Sequence, residues 1–259
     1  MSALSWGTAE DARLNAIRDD LARVSTASAN QLLLKLGWRN TYMVGLRPLQ
    51  KLGLGRRIVG RARTCQYLMR RGPEGLPDPA RRHQSAEIVL IEQTAPGDIF
   101  CVDALGVPTA GIIGDILTAR LKARGAAAAV IHGAVRDEPY LTEVGLPVFA
   151  ATTHPAPSGR DLVAVDFDQP INMAGVHLLP GDVILADDEG VVAMPLDLAE
   201  VIAAAGPPKE LLEEWIRTKI AGGGSVHDYY PPSADKVEEY TRETGREVKA
   251  EPSAPAAGH

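Results

Sequence analysis

Apolar positions change their spacing along this chain, and each change predicts a different element. Leu14, Ile17, Leu21 and Val24 recur at spacings of three and four, the period of an amphipathic helix over residues 9–24. "STASANQLLLKLG" at 25–37 predicts a second helix, with Ser25 or Thr26 as its cap and Gly37 as its stop. Residues 38–57 carry Gly and Pro punctuation and read as loop. "RIVGRARTCQYL" (57–68) alternates small or apolar residues with polar ones and predicts a strand. A loop at 73–79 and a helix over 80–94 follow.

From there strands alternate with helices. "PGDIFCVDALG" (96–106) reads as turn, strand and loop. "AGIIGDILTARLKARG" (110–125) predicts a helix with Ile113, Ile116, Leu117 and Leu121 on one face and Gly125 as its stop. "AAAAVIHG" (126–133) predicts a buried strand, 138–145 a short helix and 146–150 another strand. This alternation implies a partly parallel sheet, with ligand sites beyond the C-terminal strand ends. Residues 161–195 hold several short strands. Two helices are expected at 196–205 and 207–223, with the prolines opening the second. The reading is one domain over 1–220, with its N-terminal helices at about 9–37. A loosely attached extension over 221–259 is expected to be disordered in about its last ten residues.

"PGDIFCVDALGV" and "PGDVILADDEGV" share one pattern, Pro-Gly-Asp-x4-Asp-x2-Gly-Val. The physical reading is two similar turn–strand units, since Pro-Gly by itself makes a turn. Composition adds little: 45% hydrophobic and 23% charged residues are ordinary for a globular chain. Charge is more telling. Residues 1–82 hold 15 Lys/Arg against 6 Asp/Glu, and the remainder holds 12 against 27, for a net of −6. The basic part is expected to be solvated or to dock on an acidic neighbour, and no nucleic-acid partner is expected. Cys65 and Cys101 lack the spacing of a disulfide framework or a zinc site. The start of the chain has no leader pattern, and no apolar run approaches the ~18 residues of a membrane span. A cytoplasmic protein is expected.

Two segments carry candidate chemistry. Arg136 offers a planar fork for a carboxylate, and Asp137 offers oxygen to a hard cation. A surface ion pair is the plain alternative. In "AGIIGDIL" (110–117), Gly111 and Gly114 flank a helix start that leaves backbone N–H groups open to an anion, and Asp115 adds a carboxylate. One helix and one strand separate the two segments, so both belong at the same sheet edge. His132 and His154 read mainly as structural, and Asp187 and Asp188 as turn residues.

Gly114-Asp115, then twenty residues, then Arg136-Asp137, within "ARLKARGAAAAVIHGAVRD", resembles the signature of the class II pyruvate aldolases. That family includes 4-hydroxy-4-methyl-2-oxoglutarate aldolases and the RraA-like regulators of ribonuclease E. "GLPVFA" and "PGDVILADDEGVVAMP" match too, and the likeness covers about residues 10–215. The resemblance implies an α/β fold. Specifically, it implies a β/β/α sandwich like the swivelling phosphohistidine domain, with a helical part at each end. It also implies trimers or hexamers with sites at subunit boundaries, and a divalent metal, Mg²⁺ or Mn²⁺. Carried over by position, Asp137 anchors the metal, with water in most other positions. Arg136 binds the substrate carboxylate or keto oxygen. The N–H groups of Gly114, Asp115, Ile116 and Leu117 hold the pyruvoyl carboxylate. Asp115 orients a water at the metal or acts as base.

The implied reaction is cleavage of a 4-hydroxy-2-oxo acid to pyruvate, with oxaloacetate decarboxylation through the same enolate. One departure stands out. The family places an acid three residues after the metal Asp, and Tyr140 stands there, with Glu138 as the nearest substitute. Family members also borrow an acid from a neighbouring subunit, for which Glu210, Glu213 and Glu214 are candidates. The alternative function is a non-catalytic regulatory binding protein. A methyltransferase, a third label of the family, lacks a Gly-rich loop after an early strand.

Overall fold

The stretch Asp98–Asp103 is buried at every position, and Ala128–Val135 at all but one. Strands buried on both faces belong at the centre of a covered sheet. The computed structural model describes residues 7–71 and 79–252, and these two strands lie side by side in its main sheet. The chain opens with helices α1 (Thr8–Leu21) and α2 (Thr26–Lys35), then strands β1 (Arg47–Pro48) and β2 (Ile58–Met69). A 3-10 turn (Pro79–Gln84) leads into α3 (Ala86–Gln93). There follow β3 (Asp98–Asp103), α4 (Asp115–Arg124), β4 (Ala128–Val135), α5 (Glu138–Val144) and β5 (Val148–Thr153). Strands β6 (Leu162–Phe167), β7 (Ile171–Met173), β8 (Val176–Leu178), β9 (Val183–Asp187) and β10 (Gly190–Met194) come next. Helices α6 (Leu196–Ala221), α7 (Val226–Tyr229) and α8 (Ala234–Thr244) end the described chain.

Strands β2, β3, β4 and β5 run parallel in that order. The first part of β2 pairs antiparallel with β9, which pairs with β10, and its second part pairs with β6. β1 pairs with β5, while Tyr42 bridges to Val192 of β10. Residues 41–48 therefore join the two ends of the sheet and nearly close it. Side chains alternate as the pleat demands. Ile99, Cys101, Val130, Ile184 and Val191 fill the interior. Phe100, Val102 and Ile131 face α3, α4 and α5, and Val183, Leu185 and Val192 face α1, α2 and α6. The result is a mixed α/β fold with one filled, nearly closed sheet between two helical layers.

The expected β–α alternation from 96 to 150 is present, with differences in detail there and in the helical stretch after β10. α4 begins at Asp115, not at 110, because residues 111 and 112 spend their N–H groups on neighbours: Gly111 donates to the Ala156 carbonyl at 2.8 Å and Ile112 to Ala134 at 2.9 Å. Ile113 is buried outside the helix, and Ile116 is 74% exposed rather than on its buried face. The two helices expected over 196–223 are one, α6, running through Pro207 and Pro208. The prolines supply no N–H to the carbonyls of Ala203 and Ala204, yet tertiary packing holds the helix together there. Gly206 and Pro207 are buried, a Cβ on Gly206 would meet Val24 Cγ2 at 2.3 Å, and Glu210 accepts the Ser25 N–H at 2.8 Å.

The stretch read as an extension folds back on α6 as far as it is described. Trp215 packs at a tilt against Tyr229 and edge-on against Tyr240, and Lys219 pairs with Glu239 and Glu243 at 2.7 Å each. Its last seven residues, like most of the 73–79 loop, lie outside the described residues. The charge asymmetry is used within the chain: Arg13 pairs with Asp197 and Glu200, Arg63 with Asp168, and Lys35 with Glu251. The two Pro-Gly-Asp units are the same turn device used twice. Asp98 accepts the N–H of Ala95 at 2.7 Å and Asp182 that of Leu179 at 2.9 Å, each three residues back. Asp103 and Asp187 each accept an N–H two residues on, at 2.9 Å. Among the described residues no helix is long and apolar enough to cross a membrane.

Candidate active site

The parallel strands deliver their C-terminal ends to one edge, and two loops meet there. The first, before α4, is pinned by Ile112 to β4 and by the Arg136 N–H, which donates to the Ile113 carbonyl at 3.0 Å. The second follows β4, where Asp137 takes a left-handed conformation (φ 56°, ψ 35°) as it opens α5. For a non-glycine residue that backbone is uncommon and costs energy. Here it turns the chain sharply enough to set Asp137 beside Gly114.

Gly114 is the centre of the arrangement. A Cβ on it would lie 2.2 Å from Asp137 Oδ2 and 3.0 Å from Arg136 Nε, so both charged groups occupy the space a side chain would take. Gly111 is equally tight, with Arg136 Cβ and the His154 carbonyl each 2.8 Å from the missing atom. Arg136 Nε and Asp137 Oδ2 are 3.2 Å apart, and their side chains are 37% and 34% exposed. Their contact is single and open to solvent. Arg136, Gly114, Asp115, Ile116 and Leu117 all line a cavity of about 250 Å³ at the N-terminus of α4.

The four N–H groups at the start of α4 are not all free. The Ile116 N–H donates to Asp115 Oδ1 at 2.8 Å, a local bond typical of Asp near a helix start. The first intrahelical bond is from Thr118 to the Gly114 carbonyl, at 3.0 Å. The helix end still presents partial positive charge to the cavity.

Among the described residues no three His, Cys, Asp or Glu side chains converge as a metal cage. The residues fit a cation of another kind. Mg²⁺ commonly keeps several waters and takes one or two carboxylates. Asp137 lies in a cradle that only glycine leaves open, with Asp115 on the adjoining helix turn, and that is a donor set of this type.

Several other candidates are engaged elsewhere. His132 Nδ1 lies 3.0 Å from Asp103 Oδ1, and His154 Nδ1 accepts the Ala156 N–H at 3.1 Å. Asp187 accepts from the Thr26 N–H and hydroxyl, and Asp188 from the N–H groups of Leu52 and Gly53. Glu138 and Tyr140 are exposed on α5. Glu210 is half-buried, which opposes its ionisation, but bonds from Ser25 and Ser28 and the charge of Arg57 hold its carboxyl below the usual range. Glu213 pairs with Lys209 at 2.5 Å. Burial pushes both cysteine thiols up, so neither is a nucleophile. Sequence reasoning missed three cavity residues, Arg82, Pro157 and Ser158. All lie on connecting segments far from the motif, where no periodicity marks them.

The model of the RraA-like family, described as Aldolase/RraA, matches residues 16–193. The protein DlpA of Legionella pneumophila is 31% identical over 183 residues, which are 70% of this chain and 28% of that one. The 4-hydroxy-4-methyl-2-oxoglutarate aldolase of Thermus thermophilus is 32% identical over 106 residues, 41% of this chain and 64% of that one. The chain thus spans less than two thirds of either relative. The crystal structure of Streptomyces coelicolor RraAS2, titled an unusual member of the RNase ES inhibitor RraA protein family, superposes with a TM-score of 0.68. It is 33% identical, covering 78% of this chain and 96% of that one. With the family model matched over most of its length and the fold shared with RraAS2, the chain belongs to the RraA-like family.

Proposed function

We propose that the protein is a divalent-metal-dependent lyase that cleaves a 4-hydroxy-2-oxo acid to pyruvate and a second carbonyl product. The observation that carries this reading is Gly114: its missing side chain is the space in which Asp137 and Arg136 meet the start of α4. In the proposed reaction the C1 carboxylate sits at the N-terminus of α4, held by its free N–H groups and by Arg136. Asp115 takes the proton of the C4 hydroxyl or orients the water that does. The C3–C4 bond then breaks, C4 becomes a carbonyl, and the electron pair moves to the C2 oxygen as the enolate of pyruvate. Arg136 stabilises that developing charge, and protonation at C3 completes pyruvate. A divalent ion such as Mg²⁺ or Mn²⁺, held by Asp137, supplies Lewis-acid stabilisation of the same charge.

Oxaloacetate decarboxylation reaches the same enolate and belongs to the proposal. So do a cytoplasmic location, a trimer or hexamer, and the likeness to the swivelling phosphohistidine domain. The test is pyruvate release from 4-hydroxy-2-oxo acids with Mg²⁺ or Mn²⁺. Asp137→Ala and Arg136→Ala should each lower it by at least about a hundredfold, in the range of losing an oxyanion donor. Full activity in chelator, or in either variant, rejects the lyase. The likeness to RraAS2 favours a second reading, a regulatory binding protein. Silence over the whole substrate panel, with capture of a ribonuclease partner, would favour it.

A further inference from the structure

Arg82 brings a second guanidinium to the cavity beside α4. It lies on the 3-10 turn before α3 and lines the same cavity as Arg136. Its Nη1 donates to Glu87 Oε1 and, at 3.2 Å, to the Ser85 hydroxyl. Glu87 is 1% exposed, while the Arg82 side chain is 41% exposed. Glu87 Oε2 is buried without a hydrogen bond, and the nearby Tyr67 hydroxyl makes none of acceptable geometry.

A pair built only for the fold closes both ends, as Arg63 and Asp168 do with two parallel bonds of 2.8 and 2.7 Å. Arg82 does not. Its Nε and Nη2 have no hydrogen bond to any described residue, so part of a planar donor fork remains available at the cavity wall. Burying Glu87 is costly, and the cost is offset only while Arg82 stays in place. The buried acid thus fixes the guanidinium from behind and leaves its other side for a ligand.

We propose that Arg82 is a specificity-determining binding residue, and that Glu87 is the residue that positions it. Its fork takes the far carboxylate of a 2-oxo acid whose C1 carboxylate lies at the start of α4. This inference rests on the proposed function for the 2-oxo acid and adds which residue selects its tail. Two guanidinium groups and a helix N-terminus suit a dianion better than a monoanion.

The test compares 2-oxoglutarate with 2-oxopentanoate by calorimetry on the whole chain with Mg²⁺. The two acids have equal chain length and differ by a terminal carboxylate against a methyl. The wild type should prefer 2-oxoglutarate by about tenfold or more, the worth of one charge-assisted contact. Arg82→Ala leaves Glu87 buried and unpaired and can unfold the chain. The pair Arg82→Gln with Glu87→Gln removes both charges together. It should shrink the preference below about twofold while pyruvate affinity stays unchanged. Glu87→Gln alone should shrink the preference in part, again without affecting pyruvate. Equal binding of the two acids by the wild type, a preference that survives the double variant, or an equal loss for pyruvate would each overturn the proposal. So would no binding of any of the three acids. Preference without pyruvate release from any substrate overturns the lyase and leaves this inference standing.

Discussion

Arginine and aspartate meet in two ways in this molecule. Beside β2, Arg61 and Arg63 converge on Asp98, which is fully buried and also accepts the Ala95 N–H at 2.7 Å. Arg63 closes a second, two-bonded pair with Asp168, which is 4% exposed. At the end of β4, Arg136 and Asp137 share one contact of 3.2 Å and stay about one-third exposed. The first cluster spends its donors and acceptors inside the fold. The second keeps most of its own unspent, next to a strained backbone and two glycines where an added Cβ would clash. Saturated charges tie the interior strands β2 and β3 together, and unsaturated charges at strand ends are available for chemistry.

The sharpest way to break this contrast is to remove one carboxylate from each cluster. Asp98→Ala removes the buried acid that Arg61 and Arg63 share, leaving Arg61 with Asp11 and Arg63 with Asp168, and should cost about 3 kcal/mol, read as a large fall in denaturant midpoint. Asp137→Ala should cost within about 1 kcal/mol, as exposed pairs do. Equal destabilisation by the two variants would erase the distinction.

A smaller effect sharpens it. Gly114→Ala places a methyl 2.2 Å from Asp137 Oδ2, so the carboxylate has to move. The fold should lose about 1–3 kcal/mol, the usual cost of overpacking. Pyruvate release should fall by more than about tenfold, because a misplaced catalytic group loses rate steeply. A variant that keeps full activity would show that the position of Asp137 does not matter.

The same contrast explains what the sequence could reveal. The alternation of β3, α4, β4, α5 and β5 was legible because each element carries its own period and stop. The meeting of the two charged segments was legible because one helix and one strand return the chain to the same edge. Arg82 was not legible, since its role depends on Glu87 being buried behind it, and exposure is a property of the packed molecule. The unbroken α6 was hidden for a related reason. Pro207 and Pro208 argue locally for a break, and the packing of Val24 against Gly206, with the bond from Ser25 to Glu210, overrides them.

The smallest expected effect lies in a third ionic cluster, outside the stretch that matches the family. Lys219 holds Glu239 and Glu243, Lys236 lies 3.0 Å from Glu239, and the Trp215 N–H donates to Glu243 at 2.8 Å. Lys219 first, and then Lys236, hold the Glu239 carboxyl well below its ordinary value of 4.5, at about 2. A pKa lowered by folding stabilises the folded form above the unfolded value, and that contribution disappears as pH falls through the folded one. The docking of α8 on α6 should therefore weaken from about pH 4.5 down to about 2, by a modest amount because the cluster lies near the surface, where solvent partly screens it. Hydrogen exchange of the α8 amides, corrected for intrinsic rates, reads this directly. Protection should fall there before it falls in β3 and β4, and Glu239→Gln should flatten much of the pH dependence. If α8 and the central strands instead lose protection together, the helix is part of the same cooperative unit as the saturated cluster, and its surface charges set no separate threshold.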